Sequence, residues 1–335
     1  ITTVADDITS ENIDEVYPQY FPKQNTELEA YQQIEKDLLD AVLYAPDNTP
    51  GNKTLFSKSV ARTLLAKIYA EKPLRDYTKV IQYCDEVKAD GFDLVDDFSD
   101  LFGMNAAGTD AKMRNTKESI LEAQFTSGAG NWCTWMFGRD LVNWNNNFTW
   151  AKWVTPSRDL ISAFKQEGDE VRFKESIVYY DCNWSNYYPS DNYPFMYKCR
   201  SANSSIIKYR YADVLLLKAE ALIMQDTPDL EGAADIIDEV RDRAKLGALP
   251  TSVRSNKNVL LNALLKERRL ELAFEGQRWF DLVRLDKVEE VMNAVYAKDS
   301  GRKAQIYTFD KNSYRLPIPQ SVIDANDKIH QNPGY

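Results

Sequence analysis

Five of the seven tryptophans in this 335-residue chain fall in one stretch, GNWCTWMFGRDLVNWNNNFTWAKW, from Gly130 to Trp153. Trp132, Trp135, Trp144, Trp150 and Trp153 are interleaved there with Asn143, Asn145, Asn146 and Asn147, and Leu141 and Val142 are the only branched aliphatic residues among them. A satellite cluster that pins a loop recruits Leu, Ile and Val beside its aromatics. Indole mixed with amide suits carbohydrate, because a sugar ring stacks its C–H face on a flat aromatic and offers its hydroxyl rim to amides and carboxylates. The residues expected to contact a glycan are Trp132, Trp135, Trp144 and Trp150, with Asn145 and Asn147. Trp153 is set aside because it abuts the next helix start. A second aromatic group, NWSNYYPSDNYP (183–194), is expected to face them, with Trp184 and Tyr187 in contact and Tyr188 and Tyr193 beside them.

The other stretch with chemical promise is ERRLELAFEGQRWFDLVRL, from Glu267 to Leu285. Paired carboxylates can carry the acid and base steps of glycoside hydrolysis. Spacing favours a structural role instead. Arg268 with Glu271, Glu275 with Arg278, Arg278 with Asp281 and Asp281 with Arg284 are all three residues apart, which suits ion pairs along a helix. Gly276 suits a helix end, and Trp279 and Phe280 are expected to anchor a short following helix. Arg210 and Asp213 in RYAD read the same way. No catalytic residue is assigned. The single histidine, His330, near the C-terminus, leaves no basis for a histidine-dependent site, and four cysteines without CxxC spacing give no zinc signal. Cys182 and Cys199 could form a bridge in an exported protein, or all four cysteines could be thiols. No metal and no cofactor is implied.

Forty-one basic residues against 51 acidic ones give a net charge of −10, which opposes nucleic-acid binding. No apolar run is long enough to span a bilayer.

The elements that must position these residues are helical. Thr26 and Glu29 form a capping-box pattern ahead of Leu28, Tyr31, Ile34, Leu38 and Val42. Ala61, Leu64, Leu65, Ile68 and Tyr69 make one stripe, Pro73 breaks it, and Tyr77, Val80, Ile81, Cys84 and Val87 make another up to Gly91. A helix, a short break and a second helix form the hairpin of a tetratricopeptide-type repeat. The shape recurs from Tyr211 to Leu222 and from Ala233 to Val240, with Thr227 expected to cap the second helix at Pro228. Alanines 61, 66, 219, 221, 233 and 234 stand where helices would cross closely. A third block runs from Ser255 to Gly276. In 127–204 only Thr155–Gly168 reads as a helix. The expected fold is mainly α: helix pairs forming a superhelical scaffold (24–126 and 205–335), a long irregular aromatic insertion (127–204) and few short strands.

KYRYADVLLLKAEALI (208–223), ERRLELAFEGQRWFDLVRL and RLPIPQSVIDANDKIHQNPGY (315–335) resemble three signatures of the SusD/RagB family, and SVARTLLAKIYA, DYTKVIQYCDEV and ESILEAQF fit its upstream pattern. The resemblance covers the chain apart from 127–153. It implies a single domain of glycan-binding lipoprotein type, held at the bacterial outer-membrane surface, that captures an oligosaccharide without cleaving it. It also implies a SusC-like TonB-dependent transporter as partner, with membrane attachment only through an N-terminal lipid anchor absent from this chain. Oligopeptide capture, glycoside hydrolysis and a pure protein-interaction repeat are the alternatives. The chain reads as the C-terminal two-thirds of such a protein. On that expectation the helix at Thr26–Tyr44 or the repeat at Ser57–Val87 would show an apolar face without a partner here.

Overall fold

The computed structural model describes residues 7–125, 141–142, 154–185, 187–298 and 308–335. Its described part is mostly helical, with two small two-stranded sheets. In chain order come α1 (Ile13–Val16), α2 (Glu27–Tyr44), α3 (Lys58–Ala70), α4 (Tyr77–Ala89), α5 (Ser99–Phe102) and β1 (Ser119–Ala123). After the aromatic stretch come α6 (Arg158–Glu167), α7 (Glu170–Ser176), β2 (Ile177–Tyr180), β3 (Tyr193–Met196) and β4 (Ile206–Arg210). The chain closes with α8 (Tyr211–Met224), α9 (Leu230–Arg243), α10 (Thr251–Arg254), α11 (Lys257–Glu271), α12 (Arg278–Arg284), α13 (Val288–Lys298) and α14 (Gln320–Ala325).

Local signals explain most boundaries. Thr26 accepts a hydrogen bond from Glu29 N while the Glu29 carboxylate accepts one from Thr26 N, which closes the expected capping box. Pro73 sits in a 3-10 turn that separates α3 from α4, and Asp76 caps α4 by accepting from Lys79 N at 3.1 Å. Replacing Asp76 with alanine is expected to lower stability by about 1 kcal/mol, read as a shift of the urea midpoint at unchanged slope. The cap of α9 is Asp229, which accepts from Gly232 N, and not Thr227: the helix starts at Leu230, two residues after the proline. The helix expected from Thr155 begins later too, because Ser157 supplies the cap by accepting from Leu160 N.

The principal core joins α3, α4, α8, α9 and α11. Alanines 61, 66, 219, 221, 233 and 234 are all fully buried, and their missing side-chain bulk lets the helices approach. The apolar stripes of α3 and α4 are covered. The outer side of α2 is not: Leu28, Ile34, Leu39 and Leu43 are exposed, the last by 67%, and only Leu38 of this helix is buried. The C-terminal segment lies against residues 21–27. Asn326 Nδ2 and Lys328 Nζ donate to Pro22 O and Phe21 O, and Arg315 pairs with Glu27.

Between the helical pairs, 154–204 is more regular than its composition suggests. β2 pairs antiparallel with β3, Ile177 opposite Met196 and Tyr180 opposite Tyr193. β1 pairs antiparallel with β4, Ser119 opposite Arg210, so Glu118 arrives beside Arg210.

Candidate functional site

The acidic and basic residues of 267–285 form a buried framework, but not through the expected neighbours. Arg268 bonds Asp281 at 2.8 Å and Asp213 at 2.7 Å, with no ion pair to Glu271 among the described residues. Glu271 meets Arg210 at 2.5 Å, Arg172 at 3.0 Å and also Arg243. Glu275 takes Arg210 and Lys198 instead of Arg278. Of the four pairs three residues apart, only Asp281 with Arg284 forms, at 2.8 Å. Arg210 and Asp213 likewise go to different partners, Arg210 also reaching Glu118 and Asp213 also reaching Lys67. The reason is direction: these side chains project inward from α8, α11 and α12 and meet charges from other elements before they meet their own helix. Phe280 is 61% exposed, so it is no anchor among the described residues, whereas Trp279 packs on Phe309 at 6.1 Å.

Burial alone would raise the Glu271 carboxyl, but Arg243, Arg210 and Arg172 outweigh it and hold the group well below the usual carboxylate range. Glu267 goes the other way: its burial outweighs Arg172, and its affinity for a proton rises. Neither carboxylate is open to a substrate, with side-chain exposures of 0% and 2%. Burial also presses the Lys198 ammonium down to about 8, against the pull of Glu275.

The residues with room for a ligand lie elsewhere, where α6 meets the β2–β3 hairpin. The hairpin core is Tyr193, Phe195, Cys182 and Leu141, all buried. Trp184 leans edge-on against Tyr193 and Phe195, with ring centroids 6.2 and 6.3 Å away, and is half-buried. Tyr193 is therefore a core residue. Tyr187 and Tyr188 meet edge to face at 5.1 Å, and the Arg158 guanidinium lies over both rings, 4.0 and 4.6 Å from their centroids. Arg158 also donates to Tyr187 O, and the Tyr188 hydroxyl donates to Pro156 O at 2.8 Å. Burial lifts the Tyr188 hydroxyl to about 12, so it stays a neutral donor at neutral pH. Replacing Arg158 with alanine removes two cation–π contacts and a hydrogen bond, and is expected to cost about 1–2 kcal/mol, checked by thermal melting.

Beside these rings opens a cleft of about 450 Å³ between α6 and the hairpin, with Tyr179 and Tyr188 as aromatic wall and Arg158, Ser162, Lys165 and Gln166 as polar rim. Flat rings beside amide, hydroxyl and cationic donors are what a sugar's face and rim require.

Trp132, Trp135, Trp144, Trp150, Asn145 and Asn147 lie outside the described residues. Leu141, near the middle of their stretch, is described and informative. It is fully buried in the hairpin core; its N–H donates to Arg200 O at 2.8 Å, and its carbonyl accepts from Tyr180 Oη at 2.6 Å. Sequence reasoning missed Arg158, Ser162, Lys165, Gln166 and Tyr179. The available signal was the polar series Arg158, Ser162 and Gln166, four residues apart along one helix face. Cys182 and Cys199 are not bridged: the Cys182 thiol donates to Trp184 O at 3.2 Å. Among the described residues no cluster of His, Cys, Asp and Glu could hold a metal, and no helix is long and apolar enough to cross a membrane.

A helical-hairpin scaffold, tied by buried ion pairs, carries an aromatic cleft beside a small β-hairpin. Residues 191–335 match the model of the SusD family. SusD-like protein P38 of Formosa agariphila is 43% identical over 99 residues, which is 28% of this chain and 19% of that protein. Among solved structures, a laminarin binding SusD-like protein is 25% identical, with a TM-score of 0.67 over 92% of this chain and 69% of its own. Surface glycan-binding protein A from Bacteroides thetaiotaomicron, solved with laminarihexaose, superposes with a TM-score of 0.72 at 19% identity, covering 92% of this chain and 72% of that one.

Proposed function

We propose that this protein captures an oligosaccharide at the bacterial cell surface without cleaving it and passes it to a SusC-like TonB-dependent transporter. The observation that carries the reading is the burial of Leu141 in the β2–β3 hairpin core. It ties the Trp/Asn stretch to the hairpin that bears Trp184, Tyr187 and Tyr188. Pro156, just beyond the stretch, is held by the Tyr188 hydroxyl. The 127–204 insertion thus serves as the ligand-binding part of one domain, on the scaffold of 24–126 and 205–335. Trp132, Trp135, Trp144 and Trp150 stack on sugar rings, Asn145 and Asn147 serve hydroxyls, and Trp184 and Tyr187 stand opposite.

A non-catalytic role is supported by the state of the acids. A glycosidase needs one accessible protonated carboxyl and one accessible carboxylate about 5–10 Å apart across the substrate, whereas Glu267, Glu271 and Asp281 are buried against arginines. The SusD-like relative described as laminarin binding supports the ligand class. Attachment through a lipid and transfer to the transporter follow from the family resemblance. An array of neutral and acidic glycans with oligopeptides alongside tests the reading: saturable retention of a glycan, with no new reducing ends, is expected. Retention of peptides alone, or release of reducing ends, overturns it.

A further inference from the structure

A second cavity, of about 340 Å³, lies between α6, the end of α11 and the start of α12, apart from the aromatic cleft. Leu160, Leu272, Phe274 and Trp279 give it apolar and aromatic walls, and Arg269 and Arg278 line it with two cations. The turn that carries it, 272–276, is folded tightly by left-handed backbone at Phe274 and Gly276, with φ of 66° and 79°.

Arg278 differs from the other inward-facing arginines. Arg172, Arg210, Arg243, Arg268 and Arg284 each meet at least two carboxylates. Arg278 has one hydrogen bond, Nη1 to Leu265 O at 2.9 Å, and no ion pair among the described residues. A guanidinium carries five N–H donors, so most of its capacity faces the cavity. The charges around it do not balance it. Arg268 is committed to Asp213 and Asp281, and Arg269 to Asp159 at 2.7 Å. Burial first, and then the neighbouring Arg269, press the Arg278 proton affinity down to about 10, so it remains a cation at neutral pH with too little counter-charge. A half-buried charge without a partner is costly unless something supplies one. A planar carboxylate matches the guanidinium fork in two parallel hydrogen bonds, and Trp279 and Phe274 offer flat surface beside it. The net charge of −10 does not forbid one such anion, since distant charges are screened beyond about 8 Å at physiological salt.

We propose that this cavity receives the carboxylate of an acidic sugar residue, gripped by Arg278 with Arg269 behind it and with the sugar ring against Trp279. This rests on the glycan-capture reading and extends it to uronate-bearing ligands. The test is calorimetric titration of the full chain with a glucuronate-containing oligosaccharide, with its carboxyl-reduced counterpart and with laminarin. The acidic ligand is expected to bind about tenfold or more tightly than its reduced counterpart. Arg278→Gln should abolish that preference, keep the affinity for the reduced sugar and leave the melting temperature unchanged or raised, because an unpaired charge has gone. Arg278→Lys, which keeps the charge but not the fork, should retain part of the preference if the glutamine variant fails to fold. Equal binding of both ligands by the parent, or an undiminished preference in the variants, overturns the proposal while laminarin binding leaves glycan capture standing. Binding of none of the three overturns the proposal, and glycan capture then stands or falls on the glycan array.

Discussion

Glu271→Gln is expected to destabilise the protein by about 3–5 kcal/mol, because it withdraws the charge on which three buried guanidinium groups converge. Arg172 and Arg210 lie 3.0 and 2.5 Å from its oxygens, and Arg243 bonds it too. Each keeps another carboxylate, so the protein should still fold, with a lower melting temperature and nearly unchanged ligand affinity. A loss of affinity at unchanged stability would instead put this motif in the binding site.

The pH dependence has a definite sign. The Glu271 carboxyl is held well below its ordinary value of 4.5 by its arginines, against burial, and Glu275 and Asp281 are lowered in the same manner. An acid whose folded-state pKa is depressed contributes stability that is complete above its unfolded-state pKa and is lost as pH falls toward the folded one. The gap between parent and Glu271→Gln should therefore persist from pH 7 down to about 4.5 and narrow below that. Glu267 and Asp169, whose protons burial makes harder to lose, act in the opposite sense and soften the acid transition of the parent. A gap that widens with acid would contradict the assignment of Glu271 as a buried anion.

The second large effect concerns affinity. Replacing Trp132, Trp135, Trp144 or Trp150 singly with alanine is expected to weaken glycan binding by about 1–3 kcal/mol for each ring that stacks, by analogy with bases stacked on aromatics. Stability should change little, since an open ring buries little surface. Buried indoles would give the reverse, about 3–5 kcal/mol of stability lost per truncation. Melting temperature and affinity measured on the same four variants separate the two. If all four unfold the chain and none weakens a glycan that the parent binds, the stretch is core.

The sequence exposes local features and conceals those made by distant residues. Thr26 with Glu29, Pro73, and the stripes of α3, α4, α8 and α11 are all written at helical spacing, and the structure has those helices where periodicity puts them. The ion pairs were legible as structural but not as pairs: Arg210 and Glu275 are 65 residues apart, and no rule of helical spacing connects them. The β2–β3 hairpin escaped because its strands have four residues each and β3 contains Pro194, which weakens a strand signal. In the candidate site, the aromatics of 183–194 were visible by type, but their sorting was not. Tyr193 became core because its strand position turns it inward, while Tyr188 lines the cleft from the connecting loop. Arg158 was overlooked because an arginine at a helix start usually faces water, and only the fold brings Tyr187 and Tyr188 under it.

The most direct test of glycan capture is calorimetric titration of the protein with laminarihexaose, followed by chromatography of the sugar released from the complex. Saturable binding with the hexasaccharide recovered intact is the predicted result. Recovery of shorter sugars would contradict capture without cleavage. Absence of binding to laminarihexaose and to every other glycan of the array would contradict glycan capture itself.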